Sequence, residues 1–161
     1  RRCLNDSYGC ERIAIEKIKH FISKEALNID GFGKKVVENF WNLKLIKKPQ
    51  DIFKLDYDKI VSLDGWGELS VDNLKNSIEN SKNVSLQRFI YSIGIRHIGI
   101  ENAKLIADNL KDIDSFMDKV NSQKFENFLT IDGIGETQIK SLKTFFSSKL
   151  NVNIVIQKEG I

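Results

Sequence analysis

The apolar positions of this chain fall into a register that repeats four times. With Gly33, Gly67, Gly99 and Gly135 as reference points, successive copies stand 34, 32 and 36 residues apart. Four residues before each glycine lie Ile29, Leu63, Ile95 and Ile131, and one before it lie Phe32, Trp66, Ile98 and Ile134. Four residues after it come Val37, Val71, Ala103 and Ile139, and seven after it Phe40, Leu74, Ile106 and Leu142. All sixteen are apolar in a chain that is 41% apolar, so the register marks one supersecondary unit used repeatedly. The positions four and seven past the glycine share one helical face. Each copy therefore reads as a turn, a glycine pair and a helix buried along one stripe.

The stretches between the copies carry helical patterns of their own. Ile13, Ile15, Ile18, Phe21 and Ile22 predict a helix over 11–21. Residues 24–28 read as a short helix or turn, and a helix follows over 34–45. Pro49 suits the first position of a further short helix. Helices are expected over 57–63, from the second hairpin to about Ser81, and over 86–93, 100–110, 114–120, 124–129, 138–146 and 151–157. The polar stretch 80–85 is the expected seam between two halves, and 158–161 reads as the start of a linker. Trp41, Trp66, Phe40, Phe89, Phe145 and Phe146 fall on the stripes and are expected in the core. Strand-like alternation persists nowhere, so the fold class is all-α.

Composition narrows the class without deciding it. At 161 residues, with 29% charged side chains, the chain suits one globular domain or two small ones. No apolar run approaches the roughly 20 residues needed to span a bilayer, and no partner membrane is expected. The first residues, Arg1-Arg2-Cys3, read as a cut inside a larger protein, with no initiator Met and no signal pattern. The net charge of +3 is distributed unevenly: residues 1–48 carry +5 and residues 49–81 carry −4. An anionic partner would feel the N-terminal segment most.

The glycine pairs supply the candidate chemistry. Gly31 and Gly33, Gly65 and Gly67, Gly133 and Gly135, and the single Gly99 stand directly before a helix. A helix start leaves backbone N–H groups unpaired and carries the positive end of the helix dipole, which together attract phosphate. Glycine lets a partner come close because no Cβ intervenes. Several such turns would bind a nucleic-acid backbone without reading its sequence. Lys34, Lys35, Ser70, Asn102, Thr137 and Gln138 follow the turns and could add side-chain contacts; they could equally be ordinary exposed first-turn residues.

Asp30, Asp64 and Asp132 are expected to accept turn N–H groups. The third copy carries Arg96 and His97 instead of Asp-Gly, so its backbone is expected to differ. That turn is either a specialised contact or a degenerate copy that packs. His20 is expected at the surface. Cys3 and Cys10 form half of a tetrahedral metal site at best, and two free thiols are the alternative.

Two stretches then carry a family resemblance that covers essentially the whole chain. Residues 26–33 (ALNIDGFG), after a cysteine pair, and 89–99 (FIYSIGIRHIG) resemble bacterial NAD-dependent DNA ligases. The resemblance implies tandem helix-hairpin-helix repeats in two paired halves, behind a short remnant of a zinc finger. By resemblance, 1–22 is the finger's tail, 23–82 holds motifs one and two, and 83–157 holds motifs three and four. Cys3 and Cys10 would be the last two of four zinc ligands, although their gap is one residue longer than the commonest family spacing. A BRCT domain would follow Ile161.

The resemblance further implies a parent enzyme that is cytoplasmic, associated with the nucleoid, active in replication and repair, and dependent on NAD, magnesium and zinc. The expected partner is nicked double-stranded DNA, and the expected state a monomer. The family's Lys-x-Asp-Gly nucleophile motif has no counterpart; Ser62-Leu63-Asp64-Gly65 has serine where lysine is needed. No catalytic residue and no cofactor are therefore expected in this chain, which would grip the minor groove around a nick. Two other classes compete. A base-excision glycosylase needs a catalytic Asp past its hairpin, and Asp51 is only a loose fit. A helical interaction scaffold would use the glycine turns merely as connections, and the acidic second repeat favours it.

Overall fold

The computed structural model describes residues 11–29 and 31–147. The cysteine pair, Asp30, the expected helix over 151–157 and the linker start lie outside the described residues. Among those described there is no strand. The chain divides between Asn83 and Val84 into two compact units.

In the first unit, α1 (Glu11–Ile22) buries Ala14, Ile18, Phe21 and Ile22, a stripe at helical spacing. Residues 23–27 form a turn, and α2 (Lys34–Asn42) follows the first hairpin and buries Val37 and Phe40. The helix stops three residues short of the expected end, because Leu43 already caps it. Pro49 opens a 3₁₀ helix, Pro49–Lys54. The Asp51 carboxylate there accepts the Lys47 and Lys48 backbone N–H groups at 2.9 and 3.2 Å. Two further helices, α3 (Tyr57–Val61) and α4 (Glu68–Ser81), flank the second hairpin.

The second unit repeats this plan. The third hairpin joins α5 (Leu86–Ser92) to α6 (Ile100–Leu110), and α7 (Ile113–Ser122) follows. A 3₁₀ helix, Phe125–Thr130, leads through the fourth hairpin into α8 (Glu136–Phe145). Gln123 ends α7 in a left-handed conformation at φ 58°, and its side-chain Nε2 donates to the Val120 and Phe146 carbonyls at 2.8 and 3.2 Å. That one amide ties the end of α7 to the end of α8.

Of the sixteen repeat positions, thirteen are buried and Leu63, Trp66 and Ile131 are half-buried. Each unit gathers its hairpins around aromatic rings. Phe40 is fully buried and meets Phe32 edge-on at 5.5 Å and Trp66 at 5.7 Å. The anchors of the first and second hairpins thus share one ring. In the second unit Phe146 contacts Phe116, Phe125 and Phe145 at 5.9, 5.8 and 4.9 Å. Trp41, Trp66 and Phe145 are half-buried, so the core expectation holds fully only for Phe40, Phe89 and Phe146. His20, expected at the surface, is half-buried at the end of α1, where its carbonyl accepts the Ser23 hydroxyl at 2.7 Å.

Candidate nucleic-acid interface

The four hairpins are one structure built four times. In each, the residue before the reference glycine donates its N–H to the carbonyl three residues earlier. These bonds are Phe32 to Ile29 at 3.4 Å, Trp66 to Leu63 at 3.1 Å, Ile98 to Ile95 at 3.0 Å and Ile134 to Ile131 at 3.1 Å. The third residue of the turn is left-handed in every copy: φ is 80° at Gly31, 83° at Gly65, 67° at His97 and 98° at Gly133. His97 therefore does not change the backbone, contrary to expectation; it adopts the conformation of the glycines it replaces. The anchoring side chains Phe32, Ile98 and Ile134 are buried, while the glycines beside them, and His97 before Ile98, are exposed.

The next glycine is extended and caps the following helix. Its φ is −87° at Gly33, −132° at Gly67, −88° at Gly99 and −114° at Gly135. Its carbonyl accepts the first helical bond in each copy, at 3.1, 3.0, 2.9 and 3.2 Å. Any residue adopts this backbone. A Cβ at Gly33, Gly67 or Gly99 would meet nothing within 4 Å. The fold itself does not require glycine there, so the missing side chain leaves room for something outside the chain.

Helix capping provides an internal control. Three α-helices that do not follow a hairpin, α3, α5 and α7, have ordinary side-chain caps. Asp56 accepts the Lys59 N–H at 3.3 Å, Ser85 the Arg88 N–H at 3.2 Å, and Asp112 the Ser115 N–H at 2.8 Å. The bond from the Ser115 backbone is the main reason the Asp112 carboxyl is held below its ordinary value. The four hairpin helices α2, α4, α6 and α8 have glycine caps with no side-chain oxygen for their first N–H groups. The turns that carry those donors are exposed, as an anion site requires.

The side chains around the turns are unequal. Lys34 and Lys35 are exposed, as are Arg96 and His97, and among the described residues none of the four joins an ion pair. By contrast Lys19 is shared between Glu16 and Glu38, both at 3.8 Å, Lys104 holds Asp108 at 2.7 Å, and Lys143 pairs with Glu126. The second and fourth hairpins present Asp64 with Glu68, and Asp132 with Glu136, all exposed. Neither Asp64 nor Asp132 accepts a hydrogen bond among the described residues, so the expected turn-bracing role is not theirs.

Two of the expected polar contacts brace their own turns. Asn102 donates from Nδ2 to the His97 carbonyl at 2.9 Å, and Gln138 Oε1 accepts the Gly135 N–H at 3.0 Å. Ser70 and Thr137 are exposed, with no such bond among the described residues. Gly133 differs from the other hairpin glycines, because a Cβ there would lie 2.8 Å from Leu105 Cδ1 on α6. A substitution at Gly133 therefore disturbs packing between the third and fourth motifs and the left-handed turn together. It cannot isolate a phosphate contact. Among the described residues no three His, Cys, Asp or Glu side chains gather as a metal site. No helix among them is long and apolar enough to cross a membrane.

Sequence comparison agrees with this geometry. Residues 88–155 match the family described as the helix-hairpin-helix motif, so the second unit carries a helix-hairpin-helix domain. The chain is also 60% identical over 159 residues to the DNA ligase of Pelagibacter ubique, covering 99% of this chain and 24% of that protein. It is 40% identical over 166 residues to a DNA ligase of Rickettsia bellii, and 38% identical over 161 residues to that of Neorickettsia sennetsu. Both of these matches take in 96% of this chain and 24% of the relative. The chain thus spans about a quarter of the length of the curated relatives it matches. More narrowly than its motif class, it matches a fragment of bacterial DNA ligase.

Proposed function

We propose that this chain is the duplex-gripping segment of an NAD-dependent DNA ligase, holding the phosphates on either side of a nick while the parent enzyme seals it. One observation carries the reading. The capping glycines Gly33, Gly67 and Gly99 have an ordinary backbone and open space before them, so their lack of a side chain serves an external partner that comes close. A phosphate oxygen in that space would accept the uncapped first-turn N–H groups of α2, α4, α6 and α8.

Lys34, Lys35 and Arg96 add unpaired cations to this grip. Gly31, Gly65 and Gly133 set the turn, and Asn102 and Gln138 hold it in shape for Gly99 and Gly135. Ser70, Thr137 and His97 complete the set of proposed contacts. Residues 23–82 and 83–157 act as two motif pairs, each presenting two hairpins to a duplex. Residues 1–22 are the tail of a zinc finger, with Cys3 and Cys10 as ligands in the parent, and 158–161 begin a linker. The segment works as a monomer in a cytoplasmic, nucleoid-associated enzyme. NAD and magnesium act in the rest of that enzyme, and this chain supplies binding and no catalytic group.

A second reading applies to the second hairpin, where an exposed leucine joins the acidic pair. Asp64 and Glu68 weaken the attraction of this turn for phosphate, as Asp132 and Glu136 do at the fourth, but here Leu69 beside them is 74% exposed, which favours an added contact with protein. Hydroxyl-radical footprinting of the chain on a nicked duplex tests the main reading. Protection on both sides of the nick, across the minor groove, is expected. Absence of any protection at low salt would overturn it.

A further inference from the structure

The second hairpin leaves more apolar surface uncovered than its three counterparts. Leu69, two residues past the reference glycine, is exposed, and the matching residues are Lys35, Glu101 and Thr137. The fold makes no use of this leucine. It stands two residues before buried Val71, on the opposite side of α4. Val61, at the end of α3, is exposed as well. Between them Leu63 and Trp66 are half-buried, although Trp66 rests on Phe40 at 5.7 Å. Residues 61–69 thus hold four apolar side chains that keep area open to solvent around one turn. The third hairpin exposes Ile100, and the fourth exposes Leu129 with Ile131 half-buried; the anchors of both, Ile98 and Ile134, are buried.

Carboxylates accompany this surface. Asp58, Asp64, Glu68 and Asp72 are exposed, and none joins an ion pair among the described residues. Between residues 57 and 73 the one basic side chain is Lys59. Glu68 and Asp72 stand four apart on α4, a spacing at which like charges disfavour a helix. In the fourth motif, by contrast, Lys143 neutralises Glu126. Exposed apolar side chains among unpaired carboxylates match a protein segment that carries lysine or arginine around an apolar side chain.

We propose that the second hairpin docks a separate protein through a basic segment of that kind. This deepens the protein-contact reading given above for the same turn and rests on it. Leu69 and Trp66 supply the apolar centre of the contact, and the carboxylates supply its charged rim. Rim charge of one sign speeds the arrival of a partner from solution, which a segment tethered in the same polypeptide does not need. The occupant is therefore a second protein, met while other hairpins hold the duplex.

The test follows Trp66 fluorescence in the Trp41→Phe chain, where a single tryptophan remains. Three synthetic peptides of equal length are the probes: lysines around a central leucine pair, the same lysines around serines, and glutamates around the leucine pair. The first should shift Trp66 emission to the blue and bind about tenfold more tightly than either of the others. Leu69→Ser should weaken that binding about tenfold, while the helical circular dichroism and duplex affinity of the chain stay as they are. Equal binding of the lysine–leucine and glutamate peptides would keep the protein contact but overturn the basic partner. Equal binding of the two lysine peptides would leave charge alone and overturn the docking surface. If none of the three bound, the protein-contact reading would fall and this inference with it. A loss of duplex affinity in Leu69→Ser would assign the leucine to DNA and overturn both. In the parent enzyme the Leu69→Cys thiol should react with a maleimide as fast as in this chain. Protection there without added peptide would make the occupant a neighbouring segment of the parent and overturn the separate partner.

Discussion

Replacing Gly33 and Gly99 together by aspartate should stabilise the fold and weaken the grip. Both glycines cap helices with extended backbones, at φ −87° and −88°, and both face open space. Aspartate accepts first-turn N–H groups better than glycine does, and its charge suits the helix dipole. Each helix should gain about 0.3–1 kcal/mol, read as a higher urea midpoint. The same carboxylate would occupy the phosphate position and repel the backbone. Duplex affinity should fall about 100-fold for the double variant, one hairpin being lost in each unit. If the turns merely connected helices, stability would rise and duplex affinity would stay unchanged. The opposite signs separate an interface from a scaffold, which Gly133 cannot do while Leu105 packs against it.

Phe40→Ala should be the most damaging single substitution in the first unit. The ring is fully buried and touches the anchors of both hairpins, Phe32 at 5.5 Å and Trp66 at 5.7 Å. Removing a buried phenylalanine costs about 3–5 kcal/mol through lost transfer energy and a residual cavity. Both tryptophans of the chain, Trp41 and Trp66, lie before the division at Asn83, so tryptophan fluorescence reports on this unit alone. The unfolding free energy followed by fluorescence should fall by that amount. A loss below about 1 kcal/mol would mean that Phe40 does not couple the two hairpins.

The repeat register made most of this fold legible in the sequence. Sixteen apolar positions located every hairpin and every helix that follows one, because burial there is set by local periodicity. The helix over 100–110 matches its observed bounds, Ile100–Leu110. Helix ends were less legible: Leu43 closes α2 early, and two short helices take the tighter 3₁₀ form, since short segments are shaped by their neighbours. The shared ring of Phe40 and the approach of Leu105 to Gly133 were invisible, because both join residues far apart in sequence.

At the candidate site, residue identity was clear but role was not. His97 looked like a disruption of the turn, yet local side-chain support from Asn102 lets it keep the glycine conformation. Asp64 and Asp132 looked like braces, yet Gln138 does that work in the fourth copy. The contrast between glycine caps at the hairpins and the Asp56, Ser85 and Asp112 caps elsewhere was present in the sequence all along. Reading it required knowing where each helix begins.

The claim that these turns hold backbone phosphate is tested most directly by the salt dependence of duplex binding. Lys34, Lys35 and Arg96 are three exposed cations with no ion-pair partner among the described residues. At neutral pH they predict a log–log slope of about −3, falling by about 0.9 with each of Lys34→Gln, Lys35→Gln and Arg96→Gln. A slope near zero, or one that none of the three substitutions changes, would contradict the account.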